Sequence, residues 1–183
     1  MFIEGITMNQ NRKCIMDIET TSFEPWIGKI ICIGIKDVES GDVTVFYDEH
    51  EETLLMKFFQ YFNKMNFQEI IGYNIGFDIK CILSRCLRYR IPANGFFRAT
   101  ATDLMIILHR FKRFYTYDRP GTLDEWAKYL LGRGKLFNNN SIPSLYQQGK
   151  ISEIISYNKN DLQITFELWE RITYVLQGGK EWT

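Results

Sequence analysis

The amino-acid sequence predicts an α/β fold with a mixed central β-sheet, an antiparallel meander joined to a parallel strand, flanked by α-helices. Three observations lead there. Strand-like stretches near 13–19, 29–37 and 43–48 are rich in apolar and β-branched residues and are joined by short connections, which suits antiparallel neighbours. A segment near 51–65 then carries Leu54, Leu55, Phe58, Phe59 and Phe62 at helical spacing. A further apolar strand near 69–73 comes directly after that helix, as in a parallel crossover.

The remaining elements follow in order. Glu69-Ile70-Ile71-Gly72 runs into the turn-prone Tyr73-Asn74, and a helix is expected near 77–90. Another is expected near 102–111, with Asp103 as its cap and not as a metal ligand. Thr122 followed by Glu125 is a capping box that starts the next helix. Asn138-Asn139-Asn140-Ser141 reads as a loop. From about Ser152 to Val175, Ile154, Ile155, Leu162, Phe166, Trp169 and Ile172 recur at the period of one long helix, after which Gly178–Thr183 is expected to fray. No internal repeat is visible.

Composition bounds the possibilities. With 183 residues, 45% of them hydrophobic and 15% aromatic, the chain suffices for one well-filled core, so a single domain over 1–183 is expected. No apolar run is long enough to span a bilayer, and Met1-Phe2-Ile3-Glu4-Gly5 lacks the basic start and apolar core of a signal peptide; a soluble cytoplasmic protein is expected. Cys14, Cys32, Cys81 and Cys86 lie in apolar patterns without a C-x-x-C pair, which favours buried free thiols over zinc ligands.

Acidic and basic residues balance at 22 each, so whole-molecule attraction to nucleic acid is excluded and only local attraction remains. His109-Arg110-Phe111-Lys112-Arg113-Phe114-Tyr115 interleaves cations with aromatics, a pattern that serves either a solvated face or single-strand binding. Arg85, Arg88 and Arg90 are expected on a solvated helix face. Lys135, after Gly132-Arg133-Gly134, is a candidate phosphate contact.

Three short stretches concentrate acids. In Asp17-Ile18-Glu19-Thr20 the strand period puts Asp17 and Glu19 on one face, among apolar neighbours and with no basic partner close in sequence. Two such carboxylates repel and lose hydration unless a divalent cation joins them. In Tyr157-Asn158-Lys159-Asn160-Asp161 the tyrosine and the aspartate are i and i+4, neighbours on one helix face. Asp78, in Asn74-Ile75-Gly76-Phe77-Asp78, lies at a strand-to-helix junction, where α/β sheets place ligand sites.

Taken in order, Asp-x-Glu-Thr, Asn-x-x-x-Phe-Asp and Tyr-x-x-x-Asp resemble the DnaQ-like (DEDD) superfamily of 3′→5′ exonucleases, and within it the proofreading domain of family B DNA polymerases. The resemblance runs from about Lys13 to Ile172 and implies a ribonuclease H-like fold. The histidine branch carries His five residues before the last aspartate; here that position is Ser156, so the tyrosine branch is implied. The resemblance further implies two divalent ions, Mg²⁺ or Mn²⁺, with Asp17 bridging them, Glu19 and Asp161 holding the water-activating ion and Asp78 holding the other. Tyr157 would orient the attacking water. Thr20, Asn74 and Phe77 match positions that contact the terminal nucleotide, although Thr20 also fits a turn cap and Phe77 a core residue. The implied substrate is the 3′ end of single-stranded or frayed DNA. An exoribonuclease like ribonuclease D shares the tyrosine motif and stands as the alternative, as does a non-catalytic module that binds nucleic-acid ends or a polymerase or end-processing complex.

Overall fold

The computed structural model describes residues 11–112, 119–135 and 142–178. Residues 113–115 of the cation–aromatic stretch, the expected loop at 138–141, the tail from Gly179 and the N-terminal Met1–Gly5 lie outside the described residues. The elements are β1 (Lys13–Thr20), β2 (Ile30–Asp37), β3 (Val43–Tyr47), α1 (Glu51–Met65), β4 (Glu69–Gly72), α2 (Ile75–Tyr89), α3 (Asn94–Arg98), β5 (Thr100–Asp103), α4 (Leu104–His109), α5 (Leu123–Leu131), α6 (Ile142–Gln147) and α7 (Ile151–Leu176). They form a five-stranded sheet in the order β3-β2-β1-β4-β5. β1 pairs antiparallel with β2 and β2 with β3, whereas β4 is parallel to both β1 and β5. The mixed α/β sheet is the one expected.

Alternation along β1 divides the core between the two sheet faces. Cys14, Met16 and Ile18 face a cluster filled by Leu54, Phe58, Phe62 and Phe96 from α1 and α3, with Ile82 from α2. Its rings interlock edge to face, Phe58 lying 5.0 Å from Phe59 and 5.7 Å from Phe96 between centroids. Ile15 faces the opposite way, onto Leu104, Trp126, Leu162 and Leu168 of α4, α5 and α7. By the same period, Asp17 and Glu19 are delivered to the α7 side. All four cysteines are buried free thiols. Among the described residues, no helix is long and apolar enough to cross a membrane.

The structure corrects two expectations here. Where a helix was expected from about 102, Thr100–Asp103 is a fifth strand and the helix begins at Leu104. This edge strand has no apolar alternation to announce it; its parallel pairing with β4 and a bond from Thr102 Oγ1 to Glu69 Oε1 (2.6 Å) hold it. Arg85 is not on a solvated face: it is buried, with its guanidinium clamped on Glu51. The short helices α3 and α6 were not anticipated either.

Candidate metal centre and cleft

The site exists because β1 outlasts its neighbour. β4 pairs with β1 only over Lys13–Ile15 and ends at Gly72, leaving the far half of β1 without a partner on that side. The chain then turns through Asn74, whose φ of 59° is left-handed, into α2. Asp103 Oδ1 stabilises this turn by accepting from the Asn74 N–H (2.9 Å) while also capping α4 through the Met105 N–H (2.9 Å), so its expected capping role is observed. One turn into α2, Asp78 Oδ1 accepts from the Ile18 N–H at 3.0 Å, where β4 no longer reaches.

On the other side of β1, Gly34 of β2 stands directly opposite Asp17. A Cβ at Gly34 would come within 2.0 Å of Asn158 Oδ1, so glycine is what lets α7 descend onto the sheet. Asn158, fully buried, then donates through Nδ2 to both the Asp17 carbonyl (3.1 Å) and Asp17 Oδ2 (2.8 Å). A turn later comes Asp161. Carboxylate oxygens of Asp17, Glu19 and Asp161 lie within 4.8 Å of one another. Asp78 stands outside that trio but lines the same cleft of about 1050 Å³, together with Thr20, Asn74 and Phe77. The structure therefore brings seven of the eight candidate residues to one cavity. Thr20 also bonds its own turn, Oγ1 donating to the Ser22 carbonyl at 2.8 Å, and Phe77 is packed against the core as well as lining the cleft.

The eighth, Tyr157, is fully buried. Its hydroxyl meets Lys135 Nζ at 2.9 Å, and Lys135 lines the cleft. Lys135 also donates to Asp161 Oδ2 and lies 5.1 Å from the centre of the Tyr157 ring. The acids thus have a basic partner after all, one that sequence distance concealed. Asp124, in the first turn of α5, places it: Asp124 Oδ1 accepts from the Lys135 N–H at 2.8 Å, over a Gly134 whose added Cβ would lie 2.4 Å from that oxygen. Lys135 had been a candidate only for phosphate, and Asn158 and Asp124 had not been singled out, although Asn158 sits inside the third acidic stretch. The capping-box helix that carries Asp124 was the available signal.

One lysine does not balance four acids. Burial, reinforced by Asp161, pushes the Asp17 carboxyl up to about 7 even though Lys135 and Asn158 pull it down. Burial and the neighbouring carboxylates push Glu19 and Asp78 upward as well. Asp161 is raised by burial despite its bonds from Lys135 and Tyr157. Burial, then the charges of Asp161, Glu19 and Asp17, hold the Tyr157 phenol well above its ordinary range, so it remains protonated. Among the described residues, Asp161 Oδ1 is buried without a hydrogen-bond partner. Converging hard oxygens, an unsatisfied buried carboxylate oxygen and raised acids all fit a divalent cation.

Comparisons with known proteins bear on the family and the fold. Residues 26–179 match the family described as predicted 3′-5′ exonucleases related to the exonuclease domain of PolB. That span contains Asp78, Tyr157 and Asp161 and begins after Asp17 and Glu19. An uncharacterized protein of Methanocaldococcus jannaschii is 31% identical over 170 residues, 86% of this chain and 93% of that one. The family B DNA polymerase of the hyperthermophilic archaeon Pyrobaculum calidifontis superposes with a TM-score of 0.74 at 19% identity, over 94% of this chain. The chain spans 26% of that polymerase's length. This likeness identifies the fold as ribonuclease H-like.

Proposed function

The chain belongs to the family of predicted 3′-5′ exonucleases related to the exonuclease domain of PolB, and from that premise we propose that it is a metal-dependent 3′→5′ exonuclease acting by itself on single-stranded or frayed DNA ends. The observation that carries this is the convergence of Asp17, Glu19 and Asp161 oxygens within 4.8 Å, at the wall of a cleft large enough for a nucleotide. Asp17, Glu19 and Asp161 would hold one ion, and Asp78, in the same cleft, would help hold a second. Two such ions supply an activated water for in-line attack and neutralise charge on the leaving 3′ oxygen.

The chain's own groups do the rest. Asn158 fixes the Asp17 carboxylate in one orientation through its 2.8 Å bond, so the ligand is aimed before a cation arrives. Tyr157, kept protonated by its surroundings, donates its hydroxyl proton in a hydrogen bond and orients water without acting as a base. Lys135 donates to Asp161 and lines the cleft, where it would also be within reach of a substrate phosphate. Thr20, Asn74 and Phe77 line the cleft where the terminal nucleotide would sit. The products are 5′-mononucleotides.

The test is a cleavage time course on matched 5′-labelled single-stranded DNA and RNA oligomers with Mg²⁺, with Mn²⁺ and with chelator, resolved to single nucleotides. A descending ladder that requires metal and runs faster on DNA is expected. A ladder faster on RNA would reassign the substrate, and no metal-dependent cleavage of either would overturn the enzymatic proposal.

A further inference from the structure

Between the end of α4, α5 and the end of α7 lies a second concavity, an apolar groove of about 500 Å³. Its floor belongs to the core: Leu108, Trp126 and Ile172 are members of the buried cluster that these helices form on the sheet. Its walls do not. Phe111, Tyr129, Val175 and Leu176 line the groove with between 58% and 79% of their surface in water. The floor is fixed before any occupant arrives: the Trp126 indole N–H donates to the Pro120 carbonyl (3.0 Å), the Tyr73 hydroxyl to the Gly121 carbonyl (2.7 Å), and the Thr122 capping box sets the start of α5. Gly121 lines both this groove and the carboxylate cleft, so the two are neighbours. Large apolar side chains held in water around a rigid floor mark a contact surface.

What that surface contacts follows from charge. Among the described residues, the charged side chains lining the groove are Lys112, Glu125 and Arg171. Glu125 is engaged within the chain, accepting from the Thr122 N–H (2.7 Å) and pairing with Arg119. Lys112 donates to the Arg119 carbonyl at 3.0 Å and Arg171 to the Leu130 carbonyl; among the described residues neither meets a carboxylate. In a chain whose acids and bases balance at 22 each, this rim is a local excess of positive charge. A second copy of the chain would set these cations against themselves, because a two-fold contact presents the same surface twice. Nucleic acid would find two cations around a floor of Leu, Trp and Ile, too few for its phosphates. A small apolar ligand would cover the floor and leave the walls in water. An amphipathic helix satisfies floor, walls and rim together, with apolar residues at i, i+4 and i+7 in the groove and carboxylates on the two cations.

We propose that this groove docks an acidic amphipathic helix of a partner protein, whose apolar face enters between the walls and whose carboxylates meet Lys112 and Arg171. The partner would thereby be held beside the carboxylate cleft. The experiment selects a displayed library of helix-forming peptides of about 16 residues on the unaltered protein, then titrates a fluorescein-labelled representative of the enriched peptides. Enriched peptides are expected to carry large apolar residues at i, i+4 and i+7 with Asp or Glu beside them. Tyr129, Val175, Lys112 and Arg171 are all exposed, so their replacement leaves the core intact. Y129S/V175S and K112E/R171E should each weaken the peptide by roughly tenfold or more, and changing the peptide's acids to lysine should restore binding to K112E/R171E alone. Amide hydrogen exchange reads the same contact without any variant: the peptide should protect α5 and the end of α7. No enrichment of acidic amphipathic peptides, protection confined to other elements, or affinity unchanged in both variants overturns the proposal. A dimer in sedimentation equilibrium that Y129S/V175S dissociates gives the groove to a second copy and overturns it too, as does single-stranded DNA that displaces the peptide. Because the readout is binding, it stands whether or not the cleft proves to be an exonuclease.

Discussion

Two clusters of buried charge in this molecule are built in opposite ways. At the N-terminus of α1, Glu51 receives Arg85 Nε (2.9 Å) and the Ile30 N–H (2.7 Å) on one oxygen, and Arg85 Nη2 and the Tyr89 hydroxyl (2.9 Å) on the other. The pair is closed, with charge and hydrogen bonds both satisfied, and it ties α1, α2 and the start of β2 together. At the end of β1, four acids share one cleft with a single lysine, Lys135, which meets Asp161; their carboxyls are driven upward by burial, and Asp161 Oδ1 has no hydrogen-bond partner among the described residues. A fold has no reason to keep such a deficit for its own stability. The lesson is that hydrogen-bond satisfaction, more than burial or charge alone, separates a structural ion pair from a site awaiting a ligand.

The contrast can be broken by removing one group from each cluster. Asp17→Ala is expected to lower the cleavage rate by roughly a thousandfold or more, since it removes the acid between the other ligands. Thermal melting should show the metal-free variant at least as stable as the unaltered protein, because a repelling charge has gone. Cleavage that persists, or a cooperative fold that collapses, would place Asp17 in the structural class instead. Arg85→Ala should do the reverse: a loss of about 3–5 kcal/mol in denaturant unfolding, as for any buried acid stripped of its partner, with kcat little changed in the protein that remains folded. An unfolding midpoint that does not move would mean that Glu51 is not clamped as the structure shows.

Tyr157→Phe sharpens the comparison inside the functional cluster. It removes one hydroxyl that Lys135 contacts, so kcat is expected to fall by about ten- to a hundredfold while metal affinity and strand binding are retained. Equal rates would reduce Tyr157 to packing. The mildest effect is on pH dependence. The Asp17 carboxyl rises from 3.8 to about 7 on folding, so between those values the folded state holds more protons than the unfolded chain. Metal-free stability must therefore fall as pH rises through that window, and added Mg²⁺ should raise Tm more at pH 8 than at pH 5. A metal-free Tm that climbs across the same window would contradict the deficit of positive charge.

Much of this was legible along the chain, for local reasons. The period of two put Asp17 and Glu19 together, the period of 3.6 put Tyr157 above Asp161, and the Leu-Phe pattern of α1 marked its ends at Glu51 and Met65. Asp103 and Thr122 announced their helices because capping is decided within three residues. By contrast, β5 has a polar, half-exposed sequence that becomes a strand only because β4 is beside it. Arg85 looked solvated because the acid that buries it lies 34 residues away.

The sequence by itself determined the order of the longer elements, β1 to β4 with α1, α2, α5 and α7, as well as the mixed sheet, the faces carrying the acids and the exonuclease resemblance, since each depends on neighbours within a few turns or strand residues. Only the tertiary structure decided which charges are compensated. Gly34 had to admit α7 so that Asn158 could reach Asp17, and Asp124 had to set the backbone of Lys135 so that its ammonium, 26 residues before Asp161, could meet that carboxylate and the Tyr157 hydroxyl. Charge compensation falls off over a few ångströms, and which groups come that close is fixed by packing between distant segments rather than by any period in the chain.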